Sequence, residues 1–218
     1  MMNSRRSYRR PHKSRFVEMF GEGRFPESCL NENVREMFIG PFGSSLKSEC
    51  FVDKADSYCM VYEQKHAIRK TLNVETRYVD RLKYEELKRF TVTAGDILVS
   101  CRGTVGEIFA LPDNAPLGIM HPSVMKIRLN EDVYDKTFFV FSLRRFMLDH
   151  VGMNNGSGVK MAITAKALGR ERFPLPPLAL QREFAAFVAK VDKLAFAVRK
   201  SLETTERLYR QQLSEAFS

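Results

Sequence analysis

The stretch Pro174-Leu175-Pro176-Pro177 opens a run that reaches Ser218 without another glycine or proline. Proline suits the first positions of a helix, where its missing N–H group has no partner to lose. Within the run, apolar side chains recur at alternating steps of three and four residues, which is the a/d pattern of a coiled-coil seam. The pattern therefore predicts a long helix over residues 174–218. Its seam residues are Phe184, Phe187, Val191, Leu194, Val198 and, less regularly, Leu202.

A helix of this length would form a rod of about 60 Å. The domain that precedes it is too short to cover one apolar stripe along the whole rod. We therefore expect residues 178–218 to mediate self-association or pairing with a related chain, because a partner helix would remove the stripe from water. A helix folded back along its own domain is the alternative.

Residues 25–173 mix strand and helix patterns without the regular alternation of a βαβ protein. Apolar runs predict strands over Ile97–Ser100 and Val124–Leu129, the first of them after a Gly-Asp turn. A further strand is predicted over 105–111, and helices are predicted over 84–90 and 138–151. The sequence thus predicts an α+β domain, one mixed α/β unit followed by the long C-terminal helix.

The charge of the chain is unevenly distributed. Lys and Arg number 35 against 26 Asp and Glu, a net charge of +9. Much of this excess lies in residues 1–24, which we interpret as a basic arm followed by the end of a helix. Residues 16–177 are almost neutral, so a DNA-binding face would have to concentrate its positive charge. The most basic stretch of the domain is 65–89.

Several classes of protein are not favoured. No apolar run approaches the length of a membrane-spanning helix, and no signal peptide follows the basic start, so we expect a cytoplasmic protein. The cysteines and histidines are too scattered to predict a zinc site or a disulfide framework. Hydrolase motifs and the cofactor loop of a methyltransferase are absent from the sequence. We therefore predict a protein with no catalytic residues and no bound metal.

Three loops rich in glycine and hydroxyl groups are candidates for phosphate binding. The first is Gly40-Pro41-Phe42-Gly43-Ser44-Ser45-Leu46-Lys47, where exposed N–H groups and hydroxyls can bind phosphate. The second, Arg102-Gly103-Thr104-Val105-Gly106, is also a predicted hairpin turn, and the third spans residues 154–160. Ordinary turns are the alternative interpretation. The predicted phosphate contacts are Ser44, Ser45, Lys47, Arg102, Ser157 and Lys160.

The order of these segments resembles the target-recognition half of a Type I restriction–modification specificity subunit. Members of that family have a Gly-Phe-Gly-Ser loop, a Gly-Asp-Ile-Leu strand with a glycine-rich turn, a late Ser/Gly loop, and a Pro-Leu-Pro-Pro-Leu segment that opens a long helix. Here these motifs lie at 40–47, 95–106, 154–160 and 174–178. Residues 14–21 also resemble the end of the family's central helix, so the similarity covers nearly the whole chain. Complete members have two recognition domains and two long helices, whereas this chain has one of each and resembles the C-terminal half.

The resemblance implies a division of labour. This chain would read half of a bipartite sequence in double-stranded DNA, adenine methyltransferase subunits would modify the DNA, and a restriction and translocase subunit would cut it. S-adenosylmethionine, ATP and Mg²⁺ would then belong to those partners. Amides and guanidinium groups can pair bidentately with purines. The predicted base-reading residues come from the most basic stretch, and they are Gln64, Lys65, Arg69, Lys70 and Arg77.

Two other functions stay open at this point. Asp56 with Glu63 and Lys65 loosely matches the metal-binding pattern of Mg²⁺-dependent nucleases. Such a protein would cut DNA by itself when Mg²⁺ is present. The long helix could instead belong to an assembly protein that never touches DNA, and such a protein would show no salt-sensitive DNA binding.

Overall fold

The computed structural model describes residues 10–21, 23–152 and 164–216. Its helices are α1 (Arg10–Phe20), α2 (Leu30–Asn33), α3 (Gln64–Arg69), α4 (Arg81–Glu86), α5 (Lys136–Gly152), α6 (Ala165–Arg170) and α7 (Leu178–Ala216). Its strands are β1 (Glu27–Cys29), β2 (Val34–Ile39), β3 (Cys59–Tyr62), β4 (Tyr78–Val79), β5 (Thr91–Val92), β6 (Ile97–Ser100), β7 (Ile108–Ala110), β8 (Gly118–Met120), β9 (Val124–Leu129) and β10 (Arg172–Pro174). Within these ranges no helix is long and apolar enough to cross a membrane.

Two four-stranded sheets form the centre of the domain. The first has the strand order β2-β9-β6-β7 and is antiparallel throughout. The second has the order β4-β3-β8-β5, in which β3 and β8 run parallel. Strands β1 and β10 pair near the two ends of the domain. This mixture of sheets and helices, with a long helix at the C-terminus, confirms the predicted fold class.

The predicted strands β6 and β9 occur with the predicted bounds. Both lie in the middle of the first sheet, and alternation along β6 divides its side chains between two cores. Ile97 and Val99 join the core that contains α5, whereas Leu98 joins the core shared with the second sheet. The helix expected over 84–90 was placed too late. It begins at Arg81 because Asp80 caps it, accepting a hydrogen bond from the Lys83 N–H group at 2.8 Å.

Helices α1, α5 and α7 are joined by a cluster of phenylalanine rings. The Phe20 ring lies 4.7 Å from that of Phe138, and Phe16 lies 5.4 Å from Phe184. Towards the N-terminus of α1, the contacts shift to later residues of α7. Phe20 contacts Phe184, whereas His12 lies 3.6 Å from Asp192. Helix α1 therefore runs antiparallel to the first part of α7 and covers it.

This packing corrects one part of the predicted seam. Phe184 was expected to face a partner helix, but it is fully buried in the core of its own chain. The period of an apolar stripe does not specify which helix covers it, and here α1 and α5 cover its beginning. Farther along α7 the stripe is open to solvent, with Leu194, Val198 and Leu202 exposed by 58%, 68% and 58%. Phe187 and Val191 are half-buried at the transition.

Helix α3 begins with a reciprocal cap that includes a buried histidine. The Glu63 side chain accepts from the backbone of His66, and the Glu63 N–H group donates to His66 Nδ1 at 3.0 Å. The His66 ring is fully buried beside Tyr62. Burial holds the pKa of His66 below its ordinary value of 6.5, so the ring stays neutral at pH 7.

Replacing Phe184 by alanine is expected to lower the free energy of unfolding by about 3–5 kcal/mol, because it leaves a cavity among tightly packed rings. Phe196→Ala is the matched control at an exposed position of the same helix outside the apolar stripe, and it should change stability by less than about 0.5 kcal/mol. Urea unfolding followed by circular dichroism measures both. Equal effects of the two substitutions would contradict the internal position of Phe184.

The buried His66 also predicts how stability depends on pH. Because its folded pKa lies below the unfolded value, the unfolded chain binds more protons as the pH falls through 6.5. Stability should therefore be complete above about pH 6.5 and decrease on acidification. His66→Gln can retain the cap, since glutamine serves at this position of a capping box, but it cannot titrate. Urea unfolding at a series of pH values should show a shallower decrease for this variant, and identical curves would refute the assignment.

Candidate nucleic-acid interface

Four chain segments meet around the turn between β8 and β9. The Gly40 N–H group donates to the Val124 carbonyl at 3.0 Å, and the Cys101 N–H group donates to that of Ser123 at 2.9 Å. From the other sheet, the His121 N–H group donates to the Tyr62 carbonyl at 2.9 Å. These bonds bring together the segments 40–47, 62–65, 101–106 and 121–123, which we call the loop cluster.

Gly40 lets the first loop approach the turn closely. A Cβ atom at this position would lie 2.3 Å from the carbonyl oxygen of His121, a distance that no other residue could tolerate without backbone movement. The loop that follows forms a short 3-10 helix over Gly43–Ser45 and returns to the core at the buried Leu46. Both ends of the loop are thereby attached to the domain.

The loop between β6 and β7 is a tight hairpin turn, as predicted. Gly103 and Gly106 adopt φ values of 67° and 84°, which favour glycine. The Ser100 hydroxyl donates to the Thr104 carbonyl at 2.6 Å, and the Glu107 N–H group donates to the same hydroxyl oxygen at 3.0 Å. These bonds hold the turn while the Arg102 side chain stands exposed at its tip.

A nearly buried carboxylate organises the cations beside α3. Lys65 Nζ lies 2.9 Å from Glu63 Oε2, and the Arg77 guanidinium donates to Glu63 Oε1. Arg77 also stacks 4.2 Å from the centre of the Phe51 ring. Burial alone would raise the pKa of the Glu63 carboxyl, but Arg77 and Lys65 outweigh it and hold that pKa below its ordinary value. The ionised Glu63 therefore holds both cations in place.

The remaining predicted base-reading residues lie at the end of α3. Lys70 ends the helix in the left-handed conformation, and its Nζ lies 3.1 Å from the Glu107 carboxylate. Arg69 is exposed and has no ion-pair partner among the described residues. Gln64 faces the β6–β7 turn, since a Cβ atom on Gly103 would lie 3.9 Å from its amide. The buried Gln64 Oε1 has no hydrogen-bond partner in the described part of the chain.

The structure also locates most of the predicted phosphate contacts. Ser44 and Lys47 are exposed and Ser45 is half-buried, all on the loop attached through Gly40. Lys47 Nζ lies 3.9 Å from Glu49, a distance at which both groups are well solvated. Arg102 has no ion-pair partner within the described ranges. Ser157 and Lys160 lie outside the described residues.

Two residues of the loop cluster were missed by sequence reasoning. His121 lies at its centre, with Nδ1 2.8 Å from the Ser123 hydroxyl oxygen. Burial lowers the pKa of His121, and Arg77 and Arg102 act in the same direction against the Glu63 carboxylate. Phe42 is exposed by 87% on the first loop. Its position between Gly40 and Gly43 in the first glycine-rich loop was the available signal for Phe42. Nothing in the local sequence marks His121 as part of a site.

The arrangement of acidic groups does not favour the nuclease alternative. Asp56 lies exposed on a separate 3-10 helix, and Glu63 is already paired with Lys65 and Arg77. Among the described residues no three His, Cys, Asp or Glu side chains are grouped so that they could hold a metal ion.

Comparisons with known sequences identify relatives of one kind. The chain is 32% identical over 112 residues to the type I restriction enzyme MjaX specificity subunit of Methanocaldococcus jannaschii, an alignment covering 51% of this chain and 25% of that protein. It is 24% identical over 132 residues to the MjaVIII specificity subunit of the same organism, covering 60% of this chain and 30% of that protein. The chain thus matches only part of the length of these relatives.

Solved structures share the fold at low sequence identity. The HsdS subunit from Thermoanaerobacter tengcongensis superposes with a TM-score of 0.65 at 17% identity, covering 88% of this chain and 44% of that one. A structure concerned with complex assembly and conformational transition of the type I R-M system superposes with a TM-score of 0.65 at 18% identity. The match covers 90% of this chain and 47% of that one. The S subunit from M. genitalium superposes with a TM-score of 0.52 at 16% identity, covering 91% of this chain and 47% of that one.

One family model accounts for most of the sequence. It describes the Type I restriction modification DNA specificity domain and matches residues 51–205. That range begins before β3, includes the segments 62–65, 101–106 and 121–123 of the loop cluster but not the loop 40–47, and ends in the exposed part of α7. The chain belongs to the family of Type I restriction modification DNA specificity domains.

Proposed function

We propose that this chain is the sequence-specific DNA-recognition subunit of a Type I restriction–modification system and reads half of a bipartite target. The observation that carries the proposal is the loop cluster, where backbone hydrogen bonds join separate loops that carry the exposed cations Lys47 and Arg102. A surface of this kind suits a nucleic acid, whose phosphates attract the cations while neighbouring side chains reach the bases.

Within this surface we assign different tasks to different residues. Lys47, Arg102, Ser44 and Ser45 are proposed to contact phosphates, because they lie on loops that are attached at both ends, and all but the half-buried Ser45 are exposed. Arg69 and Gln64 are the proposed base-reading residues, since among the described residues Arg69 has no ion-pair partner and Gln64 Oε1 has no hydrogen-bond partner. Lys65, Lys70 and Arg77 are bound to carboxylates, and contact with a base would require breaking those pairs. We assign them a supporting role.

The same proposal assigns the chemistry to other subunits. Adenine methyltransferase subunits and a restriction and translocase subunit would bind S-adenosylmethionine, ATP and Mg²⁺ in the cytoplasm, and this chain would be non-catalytic. The pairing of Glu63 with two cations supports a structural task for the most buried acid of the loop cluster. One of the similar solved structures concerns the assembly of a type I R-M complex, which supports association with such partners.

Alanine substitution should separate phosphate contacts from base contacts. Lys47→Ala and Arg102→Ala are each expected to weaken binding of all duplexes similarly and to lower the slope of log K against log salt by about one unit. Arg69→Ala should instead cost about 1–3 kcal/mol on the preferred sequence and relax the preference at one base pair. Fluorescence anisotropy with the full chain at a series of salt concentrations measures these effects.

The control for this series is Lys190→Ala, which removes one exposed lysine of α7 outside the loop cluster. Its salt slope should equal that of the parent. If all three test variants keep the affinity, slope and sequence preference of the parent, DNA binds elsewhere. Absence of salt-sensitive binding by the parent would favour an assembly protein.

We further propose that the exposed part of α7 forms a homodimer or pairs with another chain of the same kind. Leu194→Asp places a charge in the exposed apolar stripe and should convert the dimer to a monomer in sedimentation experiments. Ala189→Asp is the matched control, because it adds the same charge at an exposed position on the opposite face. A monomeric parent at high concentration, or an unchanged mass for Leu194→Asp, would contradict the proposed pairing.

A further inference from the structure

Phe42 is the most exposed large apolar side chain among the described residues, with 87% of its surface open to solvent. Exposing a phenylalanine ring to water forgoes the free energy that burial would contribute. A ring that merely lacked space inside the domain could lie flat against the surface. Phe42 instead projects from a loop that is part of the loop cluster.

The backbone on both sides of Phe42 is held in place. On one side, Pro41 is buried and the contact between Gly40 and the His121 carbonyl holds the chain. On the other side, the Ser45 N–H group donates to the Phe42 carbonyl at 2.9 Å, and Leu46 inserts into the core formed with Tyr84. The loop backbone is therefore fixed at both ends while the Phe42 ring stands exposed.

The charges around the ring indicate what it contacts. Lys47 lies on the same loop, and Arg102 lies on the turn joined to the Gly40 segment through residues 121–124. The serine hydroxyls of the 3-10 helix follow the ring directly. An apolar ring on a surface that also carries exposed cations and hydroxyls matches the duplex, where apolar base faces lie between rows of phosphates. A protein surface would match this pattern only if it were strongly acidic.

We propose that Phe42 is an apolar wedge that enters a base step of the bound duplex and partly unstacks it. Apolar side chains used in this way kink DNA and favour sequences with easily opened steps. Lys47 and Arg102 hold the phosphates on the two sides of that step. Phe42 would then contribute to sequence preference without a hydrogen bond to any base. This inference rests on the proposed DNA-recognition function.

The test uses duplexes that the full chain selects from a random pool at low salt, resynthesised with 2-aminopurine at successive positions. Binding of the parent should brighten the probe at one step, because unstacking raises its fluorescence. Phe42→Ala should abolish that signal and weaken binding about 10-fold, the range expected when an aromatic contact to a base is lost. Phe42→Leu should retain most of both, since leucine also serves as a wedge.

The matched control is Phe196→Ala, which removes an exposed phenylalanine from α7. It should change neither the fluorescence nor the affinity. If Phe42→Ala keeps the parental affinity and signal, the wedge is refuted while the DNA-recognition function stands. If the parent selects no duplex, both are refuted. If Phe42→Ala binds DNA normally but no longer copurifies with a coexpressed methyltransferase subunit, Phe42 contacts protein and the wedge is again refuted.

Discussion

The phenylalanine cluster shared by α1, α5 and α7 determines how the long helix is joined to the domain. Phe184 contacts rings from both other helices, at 5.4 Å from Phe16 and 5.0 Å from Phe141. Tightly packed rings transmit displacement instead of absorbing it, because a packed core has few empty spaces. The direction of α7 is therefore fixed relative to α5, and through the core of α5 and β6 it is fixed relative to the loop cluster.

The loop cluster is held together by its backbone. Backbone bonds and close glycine contacts hold the loops, so their positions do not depend on the side chains proposed to touch DNA. Beside them, Glu63 and Glu107 engage Lys65, Arg77 and Lys70. This pairing reduces the positive charge of the surface and orders its side chains before any ligand binds. Less conformational entropy is then lost on binding.

The sequence predicted the elements that depend on local pattern and missed those that depend on distant contacts. Strands β6 and β9 followed from apolar runs, and the exposure of Arg102 followed from its glycine-rich turn. The stripe of α7 was detected, but its beginning was assigned to a partner because its cover, α1, lies more than a hundred residues earlier in the chain. Lys70 was predicted to read bases, and its pairing with Glu107, a residue distant in sequence, was not foreseen. The period of a pattern identifies a buried face, and only the tertiary fold identifies what buries it.

This surface has few cations that can contact phosphates, and their small number gives a reason for the long helix. Among the described residues, Arg69 and Arg102 are cations of this surface without an ion-pair partner, and Lys47 stays exposed with only the solvated Glu49 nearby, at 3.9 Å. Neutralising so few phosphates gives a salt slope of only about −3, whereas strong binders of duplex DNA contact about 6–10 phosphates. A single domain of this kind should therefore bind weakly. In the proposed pairing, α7 would join it to a second domain and make the second binding event intramolecular, which raises affinity without any new contact at the loop cluster. The open stripe on α7 and the sparse charge of the loop cluster would then both follow from one binding surface divided between two domains.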